Sequence, residues 1–201
     1  LGVLVFMAGV SIVEAQPGVY RVVDVGASDV LNIRAAADAR SEILGGLAPD
    51  AVMVEVLEQD EGWGRIVFEE ENGWVNLGFL SPMERQTAGE FNAPGQFQCM
   101  GTEPFWGAEI GRDGGFRFYD AMSMGEDLSA DLTSAETASA RPEPYHYRFD
   151  GEISGSLTIA AQTCSDGMSD RDYGWRVYLF AYDRENGRRF VDGCCMTPLS
   201  E

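Results

Sequence analysis

The chain has 201 residues, 45% of them hydrophobic and 11% aromatic, and carries 33 acidic against 14 basic side chains for a net charge of −19. That composition belongs to a folded chain of one ordinary domain or two small ones, which excludes a disordered polymer. The negative field repels phosphate backbones and anionic headgroups, which excludes nucleic acid and membrane surfaces as partners.

In chain order, the first feature is an uncharged apolar run, Leu1 to Val13, followed by Glu14, Ala15 and Gln16. As a helix the run reaches about 20 Å, short of the roughly 30 Å hydrocarbon core, and Val13 and Ala15 suit the positions before a signal-peptidase cut. Residues 1–15 are therefore read as an export signal, with no membrane insertion after cleavage and a working place in the periplasm or outside the cell.

Beyond Gln16 the apolar pattern is short-period and broken every eight to twelve residues by turn chemistry. "VYRVVDV", "VLNIR", "EILGGL", "AVMVEVLEQ", "WGRIVF" and "GWVNLGFL" read as strands, with Asn72-Gly73 as a hairpin turn. These elements predict a small barrel over residues 19–83. Residues 84–97, polar and marked by Gly and Pro, read as a linker.

A second strand-rich module follows over residues 98–199. "FWGAEIGR" and "GFRFYD" flank Asp113-Gly114-Gly115, a predicted hairpin. In "YHYRF" the residues Tyr145, Tyr147 and Phe149 share one face, which puts His146 and Arg148 on the other. "SLTIAAQ" and "WRVYLFAYD" complete the pattern, the second alternating Trp175, Val177 and Leu179 against Arg176, Tyr178 and Phe180. The polar stretch between Ala121 and Pro144 predicts an excursion loop or a short helix. The fold class is thus all-β, two modules in series.

The first module resembles the bacterial SH3-like (SH3b) domain. The shared landmarks, in the family's order, are "LNIR" (Leu31 to Arg34), "EILGGL", "EVLEQDEGWGRI" and "NGWVNLGFL". One departure is "AAADAR" (Ala35 to Arg40), where the family commonly has a Gly-Pro-type turn. The resemblance implies recognition of cell-wall peptide or glycan, or of an envelope protein. The second module resembles an uncharacterised group of exported bacterial proteins through "GTEPFW" (Gly101 to Trp106), "CSDGMSD" (Cys164 to Asp170) and "GCC" (Gly193 to Cys195). That likeness implies a lipocalin-like or META-type barrel and carries no activity.

All four cysteines, Cys99, Cys164, Cys194 and Cys195, lie in the second module, and an exported chain oxidises its thiols. If Cys194 and Cys195 end an extended segment they face opposite sides, so each meets a different partner, Cys99 or Cys164. The other readings are a bond between the neighbours, which strains an eight-membered ring, and a zinc tetrathiolate, for which the chain lacks a Cys-x-x-Cys knuckle.

Four further sets of residues offer chemistry. Asp166, Asp170 and Asp172 are calcium-type oxygen ligands without EF-hand spacing, and the simpler reading is an aspartate-capped turn. Glu103, His146 and Asp166 are the candidates for a hydrolase site, His146 being the sole histidine. Trp63 and Trp74, with Asn32 and Arg34, are the candidates for a ligand groove, against the alternative that these indoles fill a small core. Trp106 and Trp175 complete the tryptophans, and no cofactor is expected.

The reading is a non-catalytic exported binding protein of the cell envelope. Its rivals are an envelope hydrolase targeted by its SH3-like module, and a secreted inhibitor that uses its negative charge to meet a cationic envelope hydrolase.

Overall fold

The computed structural model describes residues 17–120 and 127–199, so the export signal expected over residues 1–15 lies outside the described residues. The chain is all-β. In the N-terminal half, β1 (Gly18–Val22), β4 (Val54–Val56) and β8 (Leu80–Met83) form one sheet in the order β4-β1-β8. β2 (Leu31–Arg34), β3 (Ile43–Leu47), β5 (Glu58–Asp60), β6 (Trp63–Phe68) and β7 (Glu71–Asn76) form a second, in the order β3-β2-β7-β6-β5. A 3-10 turn, Leu77–Phe79, joins β7 to β8 and is capped by the Asn76 side chain, which accepts from Gly78 N at 2.8 Å. The core between the sheets is aliphatic, built on Val22, Leu31, Ile33, Val54, Ile66 and Val75.

In the C-terminal half eight antiparallel strands close a barrel. They are β9 (Phe97–Thr102), β10 (Phe105–Ile110), β11 (Gly115–Asp120), β12 (Leu128–Thr137), β13 (Tyr145–Gly151), β14 (Ile153–Ser165), β15 (Asp172–Asp183) and β16 (Gly187–Met196). The order runs β10-β11-β12-β13-β14-β15-β16-β9, and β9 closes the ring on β10. The interior is aromatic: Phe116 and Phe149 stack at 3.9 Å, and Trp175 packs edge-on against Phe97 at 5.3 Å. The alternation read on β13 and β15 is observed, and its inward faces are Tyr145, Tyr147, Phe149 and Trp175, Val177, Leu179, all buried.

Cys194 and Cys195 do face opposite ways. Cys195 points into the barrel and bonds Cys99 on the neighbouring strand, while Cys194 points out and bonds Cys164. The second bridge sits in a small cluster with Tyr173, Met100 and Met196, and Val67 of the N-terminal module packs against it.

Three expectations are corrected. Asn72-Gly73 is no turn: the β6–β7 hairpin turns at Glu69-Glu70, with Glu69 at φ 48°, and pairs Val67 with Asn72 and Ile66 with Gly73. Gly73 serves close packing, because a Cβ there would lie 2.3 Å from Ile33 Cγ2. The polar stretch after Ala121 contains β12, whose inward positions are Ala130, Leu132 and Ala135. A bulge between Leu132 and Ser134 breaks its two-residue period, so no apolar alternation shows. The run Ala51 to Gln59 is two strands, because the chain leaves β1 and joins β6, with Leu57 N donating to Arg65 O at 2.8 Å.

Residues 84–97 pack on the barrel: Ala88, Ala93 and Phe97 are buried in its core, and Thr87 bridges Pro94. The two modules meet at Glu55, whose side chain is 5% exposed. Its Oε1 accepts from Arg85 Nη2 at 2.8 Å, Trp175 Nε1 at 2.7 Å and Thr197 Oγ1 at 2.8 Å, and its Oε2 accepts from Thr197 N at 3.2 Å. Arg85 also donates to Thr197 Oγ1 and, at 3.1 Å, to Pro17 O, and its guanidinium lies 4.7 Å from the Trp175 ring centroid. A buried charge is tolerated only when its partners are this complete.

Candidate functional site

Leu31 and Ile33 point into the aliphatic core, so alternation turns Asn32 and Arg34 outward. On β7, Gly73 and Val75 face in, and Asn72, Trp74 and Asn76 face out. On β6, Gly64 and Ile66 face in, and Trp63, Arg65 and Val67 face out. Register sets Arg34 opposite Trp74, Trp74 opposite Arg65, and Trp63 opposite Asn76. All four groove candidates therefore share one face of one sheet.

Three of them, Asn32, Arg34 and Trp63, line a cavity of about 300 Å³ together with Asn76, Phe79 and the Asp24–Leu31 loop. Trp74 stands two residues along β7 from Asn76 and outside that cavity. Arg34 is tied to the β2–β3 loop, its Nη1 donating to Ser41 O at 2.7 Å. That loop is the departing "AAADAR" segment. Ser41 Oγ orders it by donating to Ala36 O and Asp38 O, and Ala39 reaches the cavity wall. The rim carries carboxylates, Asp24 and Asp29, against aromatic walls of Trp63 and Phe79. Phe79, 39% exposed, and Asn76 escaped the sequence reading; an aromatic placed directly after Gly78 in a short turn was the available signal.

The state of the indoles separates the two modules. Trp106 and Trp175 are buried and both donate from Nε1, to Asp192 O at 3.3 Å and to Glu55 Oε1 at 2.7 Å. Trp63 and Trp74 are half-buried, and among the described residues neither donates a hydrogen bond nor stacks on another ring.

The hydrolase candidates do not assemble. Glu103 and Asp166 line one cleft of about 640 Å³ beside Arg176 and Asp192, but His146 lies elsewhere on the barrel wall, its Nδ1 3.0 Å from Thr158 Oγ1. Asp166 is also fully engaged, accepting from the Met168 and Ser169 amides at 2.9 Å, from Ser169 Oγ and from Tyr173 O–H at 3.2 Å. Partial burial works to raise its pKa, but the hydrogen bonds outweigh that and hold it down at about 2. A carboxylate so held caps its own turn.

The three candidate calcium ligands are likewise separated. Asp166 faces its own turn and Asp170 is exposed. Asp172 meets the N-terminal module, its Oδ2 2.9 Å from Arg65 Nη1 and its backbone exchanging two hydrogen bonds with the Asn72 side chain. Among the described residues no group of three or more His, Cys, Asp or Glu side chains is placed to hold a metal ion. Among them, too, no helix is long and apolar enough to cross a membrane.

Residues 29–81, the segment from the loop before β2 to the start of β8, match the family model of the bacterial SH3 domain. No curated protein and no solved structure matches the chain. The N-terminal half of the chain thus carries a bacterial SH3 domain.

Proposed function

We propose that this is a binding protein of the bacterial cell envelope whose SH3 domain takes cell-wall peptide or glycan in the Asn32–Arg34–Trp63 groove, with Trp74 extending the contact surface along the same face. The observation that carries this is the pair of half-buried indoles whose N–H groups find no hydrogen-bond partner and whose rings stack on no other ring among the described residues, beside an open groove. Indoles buried for stability find an acceptor, as Trp106 and Trp175 do; those left free are available to a ligand. The bacterial SH3 domain and the two disulfides both fit work outside the cytoplasm, where thiols oxidise. The barrel contacts the SH3 domain through Glu55, Arg85 and Trp175.

Cosedimentation of the purified protein with insoluble peptidoglycan tests this reading. The expected result is retention that falls about tenfold for Trp63→Ala, the scale of one aromatic contact. Retention no greater than that of an unrelated acidic protein removes the cell-wall ligand.

A further inference from the structure

The barrel wall from β13 to β16 presents an ordered outer face whose layout follows from strand register. Phe180 on β15 stands between Ser156 on β14 and Phe190 on β16, and Ser156 in turn faces Arg148 on β13. Two residues one way, Tyr178 stands between Thr158 and Asp192; two residues the other way, Tyr182 stands between Ser154 and Arg188. The alternating partners Val177, Leu179 and Ala181 are buried, so these rings are the surplus left outside a core already filled.

Tyr178, Phe180 and Tyr182 are 43%, 47% and 45% exposed, and Phe190 is 70% exposed. Four such rings open on the order of 400 Å² of contiguous aromatic surface, as large as the main functional patch of many monomers. At the strand rise, Tyr178 to Tyr182 spans roughly 13 Å, which suits a long ligand. Beside the rings stand hydroxyls, Ser154, Ser156 and Thr158, where a protein-docking face would carry aliphatics. Arg148 and Arg188 form no ion pair among the described residues, and Asp192, the carboxylate beside Tyr178, is held by Arg176 at 2.9 Å.

We propose that this face is a second binding platform, distinct from the SH3 groove, for an extended glycan chain. Aromatic rings offer flat apolar faces to the C–H faces of sugar rings. Hydroxyls and guanidinium forks spaced along the strands bond sugar hydroxyls, and Arg148 and Arg188 add attraction for any acidic substituent. A second copy of the chain is disfavoured as occupant, because two chains of charge −19 repel. The platform does not depend on the groove, and the hydrogen bonds of Glu55 link the two modules, so a cell-wall strand that meets both gains avidity.

The test uses peptidoglycan glycan strands freed of their stem peptides by an amidase. Wild-type protein and Trp63→Ala are expected to be retained on these strands, and the pair Phe180→Ala with Phe190→Ala is expected to lose about tenfold in apparent affinity. The single exposed truncations Tyr178→Ala and Tyr182→Ala give the same reading should the pair fold poorly. Absence of wild-type retention on the stripped strands overturns the proposal, as does retention unchanged in every platform variant. A concentration-dependent dimer in sedimentation equilibrium that the Phe180/Phe190 pair disperses also overturns it, by making the face a self-contact. Loss of retention on the stripped strands in Trp63→Ala also overturns it, by assigning the glycan to the groove.

Discussion

In the SH3 domain the core is Val, Leu, Ile and Ala, and the indoles of Trp63 and Trp74 stand at the surface without a hydrogen-bond partner among the described residues; in the barrel Trp106 and Trp175 lie inside among Phe and Tyr, each with its N–H bound. The difference follows from volume. Two small sheets enclose a narrow space that aliphatic side chains fill, and Gly73 lets Ile33 approach β7 closely. A closed eight-stranded ring encloses a wider space that needs rings to reach native density. In the small domain Tyr20 and Phe68 pack against the aliphatic core, while the indoles of Trp63 and Trp74 are only half-buried. In the barrel the same residue types fill the interior, and an outward row on β15 and β16 is left exposed.

The contrast is broken most forcefully at the staples. All the cysteines are in the barrel half, and Cys99–Cys195 closes a separation of 96 residues. Replacing both by Ala should lower the barrel's unfolding free energy by about 4 kcal/mol in the chain-entropy view, read as a shift in the guanidinium midpoint. An unchanged midpoint would mean that this bridge adds nothing beyond the aromatic core and the Cys164–Cys194 bridge.

A smaller effect is expected at the joint. Glu55→Gln keeps an acceptor for Trp175 and Thr197 but leaves the Arg85 guanidinium, whose side chain is 11% exposed, without its counter-charge. A loss of about 3 kcal/mol is expected, with the SH3 and barrel transitions separating in calorimetry. A single sharp transition of unchanged midpoint would show that the modules are coupled by other contacts.

The smallest effect is in the turn that Asp166 caps. Its folded-state pKa, about 2, lies below the ordinary 3.8, so the carboxylate contributes stability above about pH 4 and loses it as the pH falls through 2. Carboxyl-carbon NMR should follow that single titration, and Asp166→Asn should abolish the acid-dependent opening of the turn. A midpoint near 3.8 would show that the cap is not formed.

Much of this architecture was legible in the chain. Two-residue alternation placed Tyr145, Tyr147 and Phe149 on one face, and the same alternation sent Cys194 and Cys195 to different partners. Local signals failed where tertiary context overrode them. Asn72-Gly73 has hairpin chemistry, yet Asn72 is spent on Asp172, 100 residues away, and Gly73 on packing. β12 hid because alanines do for its inner face what larger residues do elsewhere. The Glu55 joint had no local signature at all, since its partners lie 30, 120 and 142 residues away. Of the groove, Asn32, Arg34 and Trp63 were visible through family landmarks, whereas Phe79 and the Asp24–Leu31 loop enter only by folding.

The central claim, that the SH3 indoles serve binding while the barrel indoles serve the fold, is tested most directly by measuring unfolding and peptidoglycan retention side by side for Trp63→Ala and Trp175→Ala. The account predicts that Trp63→Ala changes stability by less than about 0.5 kcal/mol while losing about tenfold in retention, and that Trp175→Ala loses about 4 kcal/mol. A Trp63→Ala protein that unfolds as readily as Trp175→Ala, or that binds peptidoglycan as well as the wild type, would contradict it.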